Sequence, residues 1–133
     1  MLMNYLVVWL GAGFGGVGRF WLGGIIARRF GEAFPLGTLV INVTGSFLIS
    51  FFATATGPDG RWLVSTRSRT FFMTGICGGY TTFSSFSLQT LTLAQDGEWG
   101  YAWANAGLSL GVCLLAAWFG NVAALSLRRT KGL

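Results

Sequence analysis

The sequence has little charge and no histidine. Only 10% of its 133 residues are charged, whereas soluble domains have about 25%, so too few charges exist to coat a water-facing surface. Hydrophobic residues make up 53% of the chain and the mean hydropathy is +0.61. We therefore predict an integral membrane protein, whose length fits one transmembrane domain over residues 1–133.

Side chains that carry acid–base chemistry are equally scarce. The four carboxylates all fall in predicted loops: Glu32, Asp59, Asp96 and Glu98. Together with the lack of histidine, this removes most general acid–base chemistry and most metal sites built from side chains, and we expect no enzymatic activity. Two cysteines, Cys77 and Cys113, lie inside apolar runs and are expected to be small apolar fillers rather than a disulfide.

The positive charge of the chain does not indicate a nucleic-acid partner. The formal net charge is +5, but the basic residues lie almost entirely between or after apolar runs, where charges set membrane topology. No basic face with interleaved aromatic residues exists, as nucleic-acid binding would require. We expect membrane lipid, not nucleic acid, around this protein.

Four apolar runs are present, at roughly residues 3–27, 36–56, 70–94 and 101–127. Each is long enough to cross about 30 Å of hydrocarbon, which takes about 20 residues. The sequence thus predicts an all-α membrane protein with four transmembrane helices. A cleavable signal peptide is an alternative for the first run, but that run is long and has Arg19 in its middle.

The basic residues are unequally divided between the two sides of the membrane. With four spans both termini lie on one side, and that side has six basic residues against two on the other. The six are Arg61, Arg67, Arg69, Arg128, Arg129 and Lys131. This distribution favours cytoplasmic termini by the positive-inside rule.

Glycine pairs four residues apart predict close helix contacts, since small faces let helices approach each other in lipid. The pairs are Gly11 with Gly15 and Gly107 with Gly111. Four helices of one small chain cannot easily enclose a pore, so we expect self-association.

Two predicted spans have polar residues every four positions, and therefore on one helix face. The second span has Thr38, Asn42 and Ser46, and the fourth has Asn105, Ser109 and Cys113. Polar groups are costly at membrane depth and tend to face a cavity or the bundle interior. For either set alone, hydrogen bonding between helices and a polar pathway are both open interpretations.

The third run contains the stretch GGYTTFSSF at positions 78–86, which predicts that the helix is interrupted from the glycines onward. Non-helical backbone at this depth requires protein or an aqueous cavity to satisfy it, and the hydroxyls of Thr82 and Ser84 can donate to an anion. Phe83 and Phe86 share one face, and aromatic ring edges are electropositive. The stretch indicates an anion path without a fixed charge; two core phenylalanines beside a kink are the alternative.

Arg19 is the only charge near the depth of a predicted span. It either snorkels to an interface or acts as a vestibule cation that raises the local anion concentration. A proton-coupled or cation-selective carrier normally needs a carboxylate within its spans, and none is present. The residues therefore favour an anion or a neutral solute.

These motifs resemble those of the Fluc/CrcB family of small fluoride channels. The resemblance covers essentially the whole chain and is clearest at residues 15–19 (GGVGR), 37–46 (GTLVINVTGS) and 74–87 (TGICGGYTTFSSFS). It implies a channel that exports fluoride passively across the plasma membrane and so protects the cell from fluoride accumulation. It also implies an antiparallel, dual-topology dimer of identical chains with two pores.

The resemblance assigns the pathway residues. Phe83 and Phe86 would form an aromatic box, and Asn42 would be a fluoride ligand. Ser109 would extend the path along the fourth span, where Asn105 and Cys113 stand at positions that tyrosine and serine can occupy. Two further departures lie after the first phenylalanine: Ser85 replaces a frequent threonine, and Gln89 replaces a frequent glutamate.

A structural Na⁺ at the dimer interface is also implied by the resemblance, held by the backbone carbonyls of Gly78 and Thr81 from both subunits. The uneven basic charge fits poorly with insertion in both orientations. Some relatives instead pair two oppositely biased chains, so a paired homologue is the alternative partner.

Two other functions compete with the channel. A small exporter of organic cations also assembles as antiparallel dimers of four-span chains, but it should have a membrane-embedded carboxylate. A non-transporting scaffold subunit would use the polar faces only to hold helices together.

Overall fold

The described residues fold into helices and connecting loops, without strands. A computed structural model describes residues 1–129; residues 130–133, which include Lys131, lie outside the described residues. The helical elements are α1 (Leu2–Phe30), α2 (Leu36–Ala55), α3 (Thr66–Arg69), a π-helical segment (Thr70–Cys77), α4 (Gly78–Tyr80), α5 (Phe83–Gln95) and α6 (Trp99–Arg129).

Three helices of the described part are long and apolar enough to cross a membrane: Leu2–Phe30, Leu36–Ala55 and Trp99–Leu127. They correspond to the first, second and fourth apolar runs. Large apolar side chains on α1, such as Phe14, Val17 and Phe20, are mostly exposed, which suits a helix whose solvent is lipid. The prediction of an all-α, multi-pass membrane protein is confirmed.

The third apolar run is divided between two helical pieces. Helical structure continues from Thr66 to Tyr80, ends, and begins again at Phe83. Between them the backbone of Thr81 (φ −81°, ψ 158°) and Thr82 (φ −152°, ψ 116°) is extended. The interruption is therefore two residues long.

The position predicted for the start of this interruption is wrong, because Gly78 and Gly79 are helical. Gly79 instead serves close packing: a Cβ atom there would lie 2.7 Å from Cα of Ala12 on α1. One helical turn earlier, a Cβ on Gly11 would lie 2.8 Å from Cα of Gly75. The glycines therefore allow close contact between the backbones of α1 and the third run. The residues outside the helix are Thr81 and Thr82, not the glycines.

The predicted glycine face of α6 does not take part in such a crossing. Ideal Cβ atoms on Gly107 and Gly111 would have no heavy atom within 4 Å in the described chain. The main contact of α6 is with α2, where Gly120 approaches the backbone of Phe47. The hydroxyl of Thr54 donates to Asn121 Oδ1 across the same contact at 2.8 Å.

Arg69 joins the end of α2 to the start of the third run. Its guanidinium donates to the carbonyl oxygen of Ala53 at 3.3 Å and to the hydroxyl of Thr56. Carbonyls at a helix C-terminus have no helical donor and lie at its negative end. The arginine therefore caps α2 and fixes the connection that leads into α3.

Replacing Gly11 by alanine tests the glycine contact. The added methyl would lie 2.6 Å from the carbonyl oxygen of Phe71 and 2.8 Å from Cα of Gly75, and such overpacking costs about 1–3 kcal/mol. We expect Gly11→Ala to have a lower melting temperature in detergent than the wild type. The melting temperature is measured from the loss of the monodisperse size-exclusion peak on heating.

Gly13→Ala is the matched control on the same helix, because nothing lies within 4 Å of a Cβ at that position. It should melt at the wild-type temperature or above, since alanine is the better helix former. Equal melting temperatures for Gly11→Ala and Gly13→Ala would contradict a close contact between Gly11 and the third run.

Candidate functional site

A single side chain of α2 satisfies the backbone at the interruption. Asn42 Nδ2 donates to the carbonyl oxygen of Thr82 at 2.9 Å, and the Thr82 N–H donates to Asn42 Oδ1 at 2.8 Å. Both polar groups of one extended residue are thereby paired, as buried backbone requires. Since an amide nitrogen has two hydrogens, one N–H of Asn42 is left for another acceptor.

Thr82 also begins the following helix. Its hydroxyl oxygen accepts from the N–H of Ser85 at 3.1 Å, which is the bond of a helix N-cap. The same hydroxyl lies 3.2 Å from the hydroxyl oxygens of Ser84 and Ser85. The positive end of α5 therefore meets three hydroxyl groups at the interruption.

These bonds release two carbonyl groups from helical pairing. In a continuous α-helix the N–H of residue i donates to the carbonyl of residue i−4. The Thr82 N–H is paired with Asn42 instead of Gly78, and the Ser85 N–H is paired with the Thr82 hydroxyl instead of Thr81. The carbonyls of Gly78 and Thr81 are thus two of those that lose their α-helical donors at the interruption.

A cavity of about 600 Å³ lies on this side of the interruption. It brings together seven residues of predicted function: Asn42, Gly78, Thr81, Thr82, Phe83, Phe86 and Ser109. Cys77 and Cys113 also line it. Because it contains the aromatic pair, we call it the aromatic cavity.

The two phenylalanines form the apolar wall of the aromatic cavity. The ring centroids of Phe83 and Phe86 are 5.3 Å apart and the planes are inclined by 51°. Phe83 is 78% exposed in the single chain. Rings held in this way can present electropositive edges to an anion.

Asn105 lies behind the aromatic cavity rather than in its wall. Its side chain is 1% exposed, and Nδ2 donates to the hydroxyl of Thr90 on α5 at 2.9 Å. The hydroxyl of Ser109, which does line the cavity, lies 3.5 Å from Asn105 Oδ1. Asn105 therefore joins α6 to α5, and its predicted place in an ion path stays a prediction.

A second cavity, of about 970 Å³, lies beside α1 and contains Arg19. Thr38, Ser85 and Gln89 line it, as do three of the chain's four carboxylates, at Glu32, Asp96 and Glu98. Within the described residues, Arg19 Nε and Gln89 Oε1 are buried and have no hydrogen-bond partner. We call this space the arginine cavity.

Two contacts at the interruption were not predicted from the sequence. The hydroxyls of Thr44 and Tyr80 are 2.8 Å apart and link α2 to the end of α4. A Cβ atom on Gly45 would lie 3.2 Å from the ring of Tyr80 and would collide with Thr81. The position of Gly45 three residues after Asn42, and so on nearly the same helix face, was the available signal.

Comparison with known proteins places this architecture in a family. Residues 6–121 match the family described as "CrcB-like protein, Camphor Resistance (CrcB)". The chain belongs to the CrcB-like family. The match includes every residue of both cavities and of the interruption between α4 and α5.

Three relatives of this CrcB-like chain share the name "Fluoride-specific ion channel FluC". The protein of Opitutus terrae is 57% identical over 128 residues, covering 96% of this chain and 97% of the relative. That of Rhodospirillum rubrum is 56% identical over 123 residues, with 92% and 95% covered. That of Methylocella silvestris is 51% identical over 130 residues, with 98% and 99% covered.

Asn105→Ala tests the link between α5 and α6. The substitution leaves the Thr90 hydroxyl without its donor and removes the partner of Ser109, and an unsatisfied buried polar group costs about 1–3 kcal/mol. We expect a lower melting temperature in detergent. Thr90→Ser, which keeps the hydroxyl, should melt close to the wild type; equal melting of Asn105→Ala and the wild type would show that the link contributes nothing.

Proposed function

We propose that this CrcB-like protein is a fluoride channel that lets fluoride leave the cell passively through the plasma membrane. The observation that carries the proposal is the aromatic cavity, in which two phenylalanine rings and uncharged donors line one space at the positive end of a helix. The name shared by the three relatives agrees with this chemistry.

The donors available along the path are neutral. We propose Arg19 as the vestibule cation, in a cavity that three carboxylates also line; beyond it, the free N–H of Asn42 and the hydroxyls of Thr82 and Ser84 would replace lost water. Ser109 continues the path on α6. A fixed cation in the aromatic cavity would hold the anion too tightly, whereas conduction needs weak, multiple sites.

Charge distinguishes the channel from an exporter of organic cations. Such an exporter needs a carboxylate at its binding site, and no Asp or Glu lines the aromatic cavity in the described part of the chain. The cavity also distinguishes the channel from a scaffold subunit, because helix cohesion alone gives no reason for hydroxyls and an amide to line one space with two aromatic rings.

We also propose that the third run crosses the membrane as a fourth span and is interrupted near the bilayer centre. Its two pieces extend from Thr66 to Gln95 around the extended pair Thr81 and Thr82. Asn42 lies in the second quarter of α2, away from both ends of a membrane-crossing helix. At that depth, non-helical backbone needs partners for its polar groups. The side chain of Asn42 pairs with the N–H and the carbonyl of Thr82.

An antiparallel dimer of identical chains is the proposed assembly, with a paired homologue as the alternative. The exposed ring of Phe83 and the open glycine face at Gly107 and Gly111 are surfaces that a second chain can cover. Such a partner would close the aromatic cavity, which a single chain leaves open to lipid.

We propose a structural Na⁺ at the dimer interface as well. Hard cations prefer oxygen ligands, and carbonyls freed at helix interruptions coordinate Na⁺ in membrane proteins. Gly78 and Thr81 are the residues whose helical donors are diverted. Their carbonyls would hold the ion, whose charge would then stabilise the interruption.

Phe83→Ile and Phe86→Ile test the channel. Isoleucine keeps an apolar side chain but has no electropositive edge, so fluoride efflux from vesicles containing purified protein should fall at least about tenfold. A fluoride electrode measures the efflux, with valinomycin and K⁺ to balance the charge.

Phe119→Ile is the control, because Phe119 lines neither cavity and should conduct like the wild type. The variants should elute as the wild type does on size exclusion. If wild-type vesicles retain fluoride, or if proton-driven cation exchange appears instead, the proposed function is wrong.

A further inference from the structure

A loop with exposed apolar and basic side chains leads from α2 into α3. Trp62, Leu63 and Val64 follow one another and are 43%, 95% and 37% exposed. Arg61 and Arg67, which stand on either side of them, are exposed as well. A run of three exposed apolar residues is uncommon on a surface that faces water, whereas tryptophan and arginine together are typical of a membrane–water interface. We call residues 61–67 the basic loop.

The basic loop is folded back onto the ends of two membrane-crossing helices. The N–H of Trp62 donates to the carbonyl oxygen of Ala55, the last residue of α2, at 2.9 Å. The Trp62 ring meets the ring of Phe51 edge to face, with the centroids 5.6 Å apart. Arg61 Nη1 donates to the carbonyl oxygen of Leu127, near the end of α6, at 3.5 Å. These contacts place the loop at the depth where acyl chains give way to headgroups.

The two ends of the described helices differ in charge. The end with the basic loop has five arginines, at positions 61, 67, 69, 128 and 129, and one carboxylate, Asp59. The opposite end has two arginines, Arg28 and Arg29, and the three carboxylates that line the arginine cavity. An anionic surface is therefore attracted to the first end, while charges of both signs nearly cancel at the second.

Two of the five guanidinium groups are available to a ligand from the basic loop itself. Arg69 is occupied at the C-terminus of α2. Arg61 makes one hydrogen bond and is otherwise exposed. Within residues 1–129, Arg67 is exposed and makes no hydrogen bond or ion pair. A guanidinium has five N–H donors in a planar fork that matches the oxygens of a phosphate group.

We propose that the basic loop binds the headgroup of an anionic phospholipid. Arg61 and Arg67 contact the phosphate, and Trp62 and Leu63 lie among the upper parts of the acyl chains. Apolar and basic groups side by side suit such a ligand, because one molecule supplies both a negative headgroup and an apolar body. The proposal does not depend on the channel function; it requires only that α2 and α6 cross a membrane.

Arg61→Gln/Arg67→Gln tests the charge. Pyrene-labelled phosphatidylglycerol is titrated into the purified protein in a non-ionic detergent, and binding is measured from energy transfer out of the tryptophans. Because each arginine near an anionic lipid surface contributes to the attraction, the double variant should bind this lipid at least about tenfold more weakly than the wild type. Pyrene-labelled phosphatidylcholine, which has no net charge, should also bind the wild type at least about tenfold more weakly.

Arg28→Gln/Arg29→Gln is the matched control, since it removes the same charge at the opposite end of the helices. Its affinity for phosphatidylglycerol should stay within about twofold of the wild type. Equal losses in the two double variants, or equal binding of the two lipids by the wild type, would overturn the proposal. Inorganic phosphate that competes as well as unlabelled phosphatidylglycerol would show a site for free anions and would overturn it too.

Leu63→Gln tests the apolar part of the surface. It removes an apolar side chain that the acyl chains would cover, so phosphatidylglycerol should bind at least about threefold more weakly, while the protein elutes as the wild type does on size exclusion. Elution of Leu63→Gln as a smaller particle would show that a second copy of the chain covers this face, and would overturn the lipid surface.

Arg67→Gln keeps the proposal testable if the double variant at positions 61 and 67 does not elute as the wild type does. Arg67 makes no bond within the described chain, so its loss leaves the loop intact. Phosphatidylglycerol should bind this variant at least about threefold more weakly, and wild-type affinity would overturn the proposal. Fluoride efflux is measured separately, so failure of the proposed channel and failure of the lipid surface are distinguishable.

Discussion

The pairing of the Asn42 amide with the Thr82 backbone is the interaction on which the rest of the structure depends. An extended residue between two helices has an N–H and a carbonyl without helical partners, and such groups are costly to leave unpaired in an apolar environment. One side chain satisfies both, at 2.8 and 2.9 Å. The freed carbonyl of Gly78 follows directly from this pairing, while the hydroxyl of the same threonine caps α5 and frees the carbonyl of Thr81.

Close packing supports the same region from the other side. Glycines on α1 and on the third run bring the two backbones together, and Gly45 lets α2 approach Tyr80 and Thr81. In lipid, van der Waals contact and hydrogen bonds hold helices together, because no hydrophobic force acts between them. The interruption is therefore held between α1 and α2. These contacts keep the polar groups of the interruption at fixed positions, although the aromatic cavity contains no formal charge.

The charges of the chain lie away from that cavity. Arg19 and three carboxylates line the arginine cavity, while the polar groups that line the aromatic cavity are all uncharged. A path without formal charge suits a small anion, which weak neutral sites can release. The family match over residues 6–121 includes both spaces.

The sequence alone determined the class of the protein, since the scarcity of charge and the long apolar runs leave no other solvent than lipid. It also indicated the polar face of α2 and the stretch in which the helix is interrupted, because hydroxyls and glycines are unusual there. Only the tertiary structure decided that Gly79 packs while Thr81 and Thr82 are extended, and that Asn105 is buried behind Ser109. These outcomes depend on residues far apart in the sequence that meet in space, such as Gly79 with Ala12 and Thr82 with Asn42, and local propensity contains no information about such partners.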